Sequence, residues 1–368
     1  MKILFVNPDG LQFNVSTPER EPLGGIASCM CYLARQLAHN GHNVTLLSNL
    51  PKDTSAQLLG VYHLPLATIE TEGASFFTAR DYDAAIVANC PQLAPHIRTA
   101  SPKTLNVAWL HVFPNQPAVK SLTFVQAMLD YLVFVSETQR ATFRVGTPAH
   151  VIGNGIAPAF ENMFGSVGEL LSAKQNRAIY SSMPFRGLDI LVETMERTKA
   201  QTSLDIYSSM GTYQAGDEAC AALFRRAERS ARVRYHGAIG QVMLAKAFRS
   251  AAFLAYPSTF PETYCIAAQE AMAAGAKVLS IDYGALKETT MGYADLLPMR
   301  EGGIIREEIV SGFGVLLEKN EADFQNRPSA WAERMFEQVK AVNRASNWMA
   351  RAAQWEAFLA PAIARKRS

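Results

Sequence analysis

Glu262 and Glu270 stand eight residues apart in Phe260-Pro-Glu-Thr-Tyr-Cys-Ile-Ala-Ala-Gln-Glu-Ala-Met-Ala-Ala-Gly275. Residues 252–256 read as a short buried strand and Pro257–Pro261 as a loop. Ile266 to Ala274 is rich in good helix formers, and Gly275 supplies the stop. Glu262 therefore falls on the loop before a helix, and Glu270 about two turns inside it. The amides of Thr263, Tyr264, Cys265 and Ile266 open that helix and can hold an anion. A phosphate there would have one carboxylate at the loop and another along the helix, both able to grip sugar hydroxyls, which is the layout a nucleotide-sugar needs. The plain alternative is two solvated charges. A glycosidase pair fits poorly: eight helical residues span about 12 Å, whereas such pairs sit roughly 5–9.5 Å apart.

Other residues able to do chemistry fall at strand ends. Arg186, in Tyr180-Ser-Ser-Met-Pro-Phe-Arg-Gly-Leu-Asp189, lies just after a strand and at a helix start. The helix dipole disfavours a cation there unless an anion visits, and a cation so placed can neutralise a diphosphate leaving group. Leu23-Gly-Gly-Ile26 opens a helix over Ala27–His39, and paired glycines let the backbone approach a ligand; a plain turn is the competing reading. Residues 8–22 separate it from the first strand, so it is not a GxGxxG fingerprint. His111, in Trp109-Leu-His-Val-Phe-Pro114, follows a strand and can hydrogen-bond a sugar hydroxyl or serve structure alone. Asp81-Tyr-Asp83 has the form of a metal-binding Asp-x-Asp but precedes its strand, at the wrong end of a sheet, so no metal site is expected.

These positions need a scaffold, and the apolar runs supply one. Strands are expected at Ile3–Asn7, Asn43–Leu47, Ala84–Ala88, Leu105–Trp109 and Leu132–Ser136, then at Ala178–Ser182, Ser203–Tyr207, Val233–Tyr235, Ala252–Tyr256 and Lys277–Ile281. Near-continuous apolar strands separated by helices make an α/β protein with two doubly wound, Rossmann-like parallel sheets, facing each other across a cleft. The pattern pauses between Pro158 and Asn176. That places a first domain at 1–165 and a second at 166–344, with a terminal helix over 345–368 returning to the first. From Ser329 onward Trp331, Met335, Val339, Trp348, Trp355 and Phe358 are spaced as a buried stripe.

At 368 residues, two domains are the natural division. The 49% hydrophobic and 18% charged content suits a globular protein, and a net charge of +2 gives no field for nucleic acid. A local cluster, Arg225, Arg226, Arg229, Arg232 and Arg234 with Lys366 and Arg367 at the tail, reads as a solvated face or as a surface for an anionic membrane or acceptor. The five cysteines lie mostly in apolar runs and read as buried thiols of a reducing compartment. No apolar run reaches membrane-spanning length. A cytoplasmic protein is expected, at most peripheral to the inner face of a membrane.

Together these residues resemble the retaining glycosyltransferases of family 4, which share the two-domain GT-B fold. The resemblance is carried by Gly24-Gly25, His111, Phe134-Val-Ser-Glu137, Val151-Ile-Gly-Asn-Gly-Ile156, Arg186-Gly-Leu188, and the Glu262/Glu270 pair with Glu270-Ala-Met-Ala-Ala-Gly275. It implies a second domain that holds the nucleotide-sugar and a first that holds the acceptor. Glu270 would then bind ribose hydroxyls and Glu262 the donor sugar. The amides of Tyr264, Cys265 and Ile266 would hold the diphosphate with Arg186, Gly237 and Ile239 would meet the base, Gly25 would touch the phosphate, and His111 the sugar. One position departs: the family usually carries an arginine where Ser181 stands.

The resemblance implies a metal-independent transferase that moves a sugar from a UDP-, GDP- or ADP-sugar, with no other cofactor, to a carbohydrate or lipid-linked acceptor hydroxyl in polysaccharide, lipopolysaccharide or glycolipid synthesis. Glu262→Ala or Arg186→Ala is expected to lower turnover with the fold intact. A nucleotide-sugar epimerase or hydrolase on the same fold would need acid and base groups around the sugar. A non-catalytic partner would explain Ser181.

Overall fold

Buried on both faces, near-continuous apolar segments satisfy their backbone polar groups best as parallel strands covered by helices. A computed structural model describes residues 1–52, 54–299, 303 and 305–368. The chain divides into two units: Met1–Pro18, Gly24–Gly155 and Trp348–Ser368 form the first, and Glu19–Leu23 with Ile156–Asn347 the second.

The first unit contains β1 (Lys2–Val6), β2 (Asn43–Ser48), β3 (Ala56–Leu58), β4 (Val61–Pro65), β5 (Ala84–Ala88), β6 (Leu105–Leu110), β7 (Tyr131–Phe134) and β8 (Ala149–Val151). Their order is β3-β4-β2-β1-β5-β6-β7-β8, parallel except where β3 meets β4. Ile3–Val6 of β1 are wholly buried, and the helix Gly25–His39 covers the sheet with Met30, Leu33 and Leu37. Four of the five cysteines are buried and none forms a disulfide.

The terminal helix Trp348–Arg367 packs on this unit. Trp355 meets Trp109 edge-on at 5.2 Å, and Phe358 meets Tyr131 at 5.1 Å. Its basic end is held by acidic partners of the same unit. Lys366 donates to Asp130 at 2.8 Å, while Arg367 pairs with Asp83 at 3.0 Å and Asp81 at 3.2 Å. The Asp-x-Asp sequence thus holds a helix end. Arg226 likewise pairs with Glu196, and Arg232 donates to the carbonyls of Ala200 and Met195. Among the described residues no helix is long and apolar enough to cross a membrane.

The second unit contains β9 (Gln175–Ser181), β10 (Ser203–Tyr207), β11 (Val233–Tyr235), β12 (Ala251–Tyr256), β13 (Lys277–Ile281) and β14 (Asp295–Leu297), all parallel in the order β11-β10-β9-β12-β13-β14. Chain contacts divide between Gly155 and Ile156, not at 165/166. The segment in between packs in the second unit because the Ile156 amide donates to Ser346 at 2.7 Å and Phe160 lies 5.9 Å from Phe248. The returning helix starts at Trp348 instead of 345 for the same reason. Lys174 is buried with its ammonium donating to the carbonyls of Phe248, Ala251 and Ala274, at 3.0, 2.8 and 2.5 Å. It ties a helix end to the foot of β12. A helix over Arg306–Asn326, absent from the sequence reading, lies against the helix Leu188–Arg197.

Trp355→Ala empties a site that is fully buried. It is expected to cost about 3–5 kcal/mol, read as a lower urea midpoint for the first unit by tyrosine and tryptophan fluorescence.

Candidate active site

In an open parallel sheet, the loops leaving two adjacent strands diverge where the strand order reverses, and a crevice opens there. In the second unit that point lies between β9 and β12, which pair directly. Arg186 follows β9 and Glu262 follows β12. Two glycines bring their loops together. Gly187 has φ +91°, and a Cβ there would stand 2.0 Å from the Pro257 carbonyl. Gly284, beyond β13, has φ +68°, and its Cβ would stand 2.3 Å from the Glu262 carbonyl oxygen. Glu262 forms an isolated parallel bridge with Gly284, and its carbonyl accepts from the Ala285 amide at 2.7 Å. The Glu262 backbone is therefore fixed by a third loop.

Its side chain is fixed as firmly. Arg186 Nη1 donates to Glu262 Oε1 at 2.9 Å and Oε2 at 3.0 Å. The Tyr256 hydroxyl donates to Oε1 at 2.5 Å and Ser258 Oγ approaches it at 3.3 Å. The guanidinium lies over the Phe260 ring, 4.6 Å from its centre. Burial is the largest single influence and works against the arginine's charge, but Glu262 with Tyr256 and Tyr213 outweighs it and raises the pKa, so Arg186 is a fixed cation. Its Nε is buried and has no hydrogen-bond partner among the described residues. A half-buried cation with an unsatisfied donor, beside a crevice, is poised for an anion.

The helix carrying Glu270 runs Ile266–Ala273. Its N-cap, Cys265, has φ +65°, a left-handed conformation that costs a non-glycine residue roughly 1–3 kcal/mol. The thiol is buried and pushed well up in pKa, chiefly by desolvation, so it is inert. Thr263 and Ile266 are half-buried and Tyr264 is buried. Glu270 turns inward, accepting from the Ala157 amide at 3.3 Å and from Gln241. Burial raises its pKa to about 8 against those two hydrogen bonds. Gly237, with φ +70° and open space where a Cβ would stand, and half-buried Ile239 lie on the loop after β11. Gly240, which ends that loop, abuts the backbone of Arg20 from the segment Glu19–Leu23.

Gly24, Gly25 and His111 belong to the first unit. Gly24 caps the helix that Gly25 begins. His111 follows β6, where its amide donates to Asn89 Oδ1 at 2.7 Å and its ring lies 4.5 Å from Trp109. Burial lowers its pKa to about 3, so it is neutral at ordinary pH and serves hydrogen bonding, not acid catalysis. Within one unit the structure brings Arg186 and Glu262 into contact and sets Glu270 on the helix that follows. Tyr256, Ser258, Gln241, Gly187 and Gly284 escaped the sequence reading. The signal available was a hydroxyl-bearing aromatic at a strand end, and single glycines just beyond two other strands. Among the described residues no three His, Cys, Asp or Glu cluster as metal ligands.

The ion pair corrects one expectation. Truncating Arg186 strands a buried carboxylate, so Arg186→Ala is expected to cost roughly 3–5 kcal/mol of stability, and Arg186→Met with Glu262→Gln to recover most of it, as read by urea unfolding. Glu270 gives a pH signature. Its folded pKa is raised from 4.5 to about 8, so the folded state holds a proton that the unfolded chain loses, and stability falls as pH rises through that window. Glu270→Gln is expected to gain melting temperature relative to the parent between about pH 5 and pH 8.

Residues 178–303 match the family model "Glycosyl transferases group 1". No curated protein matches the chain. Among solved structures, sucrose-phosphate synthase from Thermosynechococcus elongatus superposes with a TM-score of 0.75 at 16% identity, over 99% of this chain and 100% of that one. The Anabaena protein HepE, solved with UDP and glucose, gives 0.70 at 16% identity over 98% and 100%. The α,α-trehalose 6-phosphate synthase of Burkholderia multivorans gives 0.67 at 14% identity over 100% and 99%. The chain has the GT-B fold, and residues 178–303 of its second unit are similar to the glycosyl transferases group 1 family.

Proposed function

We propose that the protein is a retaining glycosyltransferase of family 4 that moves a sugar from a nucleoside-diphosphate donor to an acceptor hydroxyl without a metal ion. The observation that carries this reading is Arg186, a half-buried cation whose Nε is unsatisfied among the described residues, clamped on Glu262 beside the start of the helix Ile266–Ala273. The donor diphosphate meets Arg186 and the amides of Thr263, Tyr264, Cys265 and Ile266. Glu270 takes the ribose hydroxyls, Glu262 the sugar, and the loop at Gly237 and Ile239 the base. In the first unit Gly24 and Gly25 serve the phosphate and His111 the sugar.

The bond between the anomeric carbon and the phosphate oxygen breaks, and the electron pair leaves with the nucleoside diphosphate, whose charge Arg186 and the helix-start amides stabilise. The acceptor oxygen bonds to the same face of the anomeric carbon, and its proton passes to the leaving phosphate oxygen. Ser181, where the family usually has arginine, leaves Arg186 to carry the cationic share. The epimerase or hydrolase reading is disfavoured by His111, which burial keeps neutral. Acceptors are carbohydrate or lipid-linked hydroxyls at the cytoplasmic face of a membrane, and no cofactor is needed beyond the donor.

Melting with UDP, GDP, ADP and CMP, each with Mg²⁺ or with EDTA, tests the donor site. A ligand at about 100 times its Kd adds roughly 2.7 kcal/mol. One nucleotide is expected to protect the wild type equally in both media and to fail with Glu270→Ala; no protection by any of them overturns the reading. With the protecting nucleotide's sugar conjugates as donors, Arg186→Lys, which keeps the charge but loses the fork, is expected to lower kcat roughly 10²- to 10³-fold.

A further inference from the structure

The two oxygens of Glu262 are unequally satisfied. A carboxylate offers about four lone-pair positions, two on each oxygen. Oε1 receives two donors, Tyr256 at 2.5 Å and Arg186 at 2.9 Å, while the Ser258 hydroxyl lies nearer the Phe260 carbonyl, at 3.0 Å, than Oε1, at 3.3 Å. Among the described residues Oε2 receives Arg186 alone, at 3.0 Å. The Tyr256 hydroxyl is itself within 3.2 Å of Ser182 Oγ, and the Ser208 hydroxyl donates to the Ser182 carbonyl at 2.6 Å. The hydroxyls of Ser182, at the end of β9, and Tyr256 therefore lead into one oxygen of the carboxylate, and Ser208, at the end of β10, holds the Ser182 backbone.

We propose that Tyr256 is a positioning residue that, together with Arg186, saturates Oε1 of Glu262 and so dedicates Oε2 to a hydroxyl of the donor sugar. The inference rests on the donor-site reading above and adds which residues set sugar recognition. Tyr256 is wholly buried at the end of β12, so its ring has no freedom to swing away. Its neighbour Tyr180, 5.7 Å distant, donates its own hydroxyl to the Met183 carbonyl and does not compete for the carboxylate. Burial also raises the Tyr256 pKa well above its ordinary value, so the hydroxyl remains a donor at any working pH. Without Tyr256, Oε1 regains an open position. The carboxylate can then rotate, and a sugar hydroxyl no longer meets a single fixed acceptor.

The test compares two affinities by calorimetry, for UDP, GDP and ADP and for their glucose, galactose and mannose conjugates. The ratio of the nucleotide Kd to the nucleotide-sugar Kd isolates the sugar contribution. Tyr256→Phe, which keeps the ring, is expected to cut that ratio about tenfold or more, with nucleotide affinity changed by less than about twofold. A merely structural role would weaken both ligands alike. An unchanged ratio in Tyr256→Phe, a loss shared equally by nucleotide and conjugate, or a wild type that gains nothing from any sugar overturns the positioning role and leaves the nucleotide site standing. No binding of any nucleotide overturns both.

Discussion

An arginine and a glutamate drawn out of water repay their lost hydration only when geometry is good and the remaining valences are satisfied. Arg186 and Glu262 meet the first condition through a two-oxygen contact and leave the second deliberately open at the guanidinium Nε. The surrounding loops serve that arrangement. Gly187 lets one loop lie on Pro257, Gly284 lets another lie on Glu262 itself, and a left-handed Cys265 turns the chain into the helix that carries Glu270. Each device trades local backbone comfort for a fixed position, the usual economy of a functional site.

The two glutamates occupy opposite electrostatic settings although one short segment carries both. Glu262 sits against a fixed cation and the hydroxyls of Tyr256 and Ser258. Glu270 has only an amide and a glutamine for company, and burial holds its proton to about pH 8. Hydroxyl donors arriving from a ribose would favour the charged form, so ligand capture and proton release are coupled at this residue. Neutral His111 in the first unit offers no comparable titration.

How far the sequence disclosed this depends on the range of the interaction. Strands Ala84–Ala88, Ser203–Tyr207, Val233–Tyr235 and Lys277–Ile281 are bounded as expected, because apolar runs between helices are local signals. No residue of the three-residue strands at Ala56, Ala149 and Asp295 is buried, so burial imposed no apolar run there. The helix Arg306–Asn326 was obscured by Gly312 and Gly314, which lower helical propensity. At the site, Glu262, Glu270 and Arg186 were legible as strand-end chemistry. Their pairing was not, since 76 residues separate arginine from glutamate. Lys366 and Arg367 misled because charge in a sequence carries no record of its partners, here Asp130, Asp81 and Asp83.

The short segment Glu19–Leu23 lies in the loop after β1 yet belongs to the second unit, where Arg20 fills the space over Gly240. The polypeptide therefore passes between units four times, at 18/19, 23/24, 155/156 and 347/348. A hybrid that exchanges second units by a single splice after Gly155 would inherit a foreign pentapeptide over the β/α loop of its new half. Modular exchange in this molecule follows interleaved chain segments, and recombination points that respect them must come in pairs.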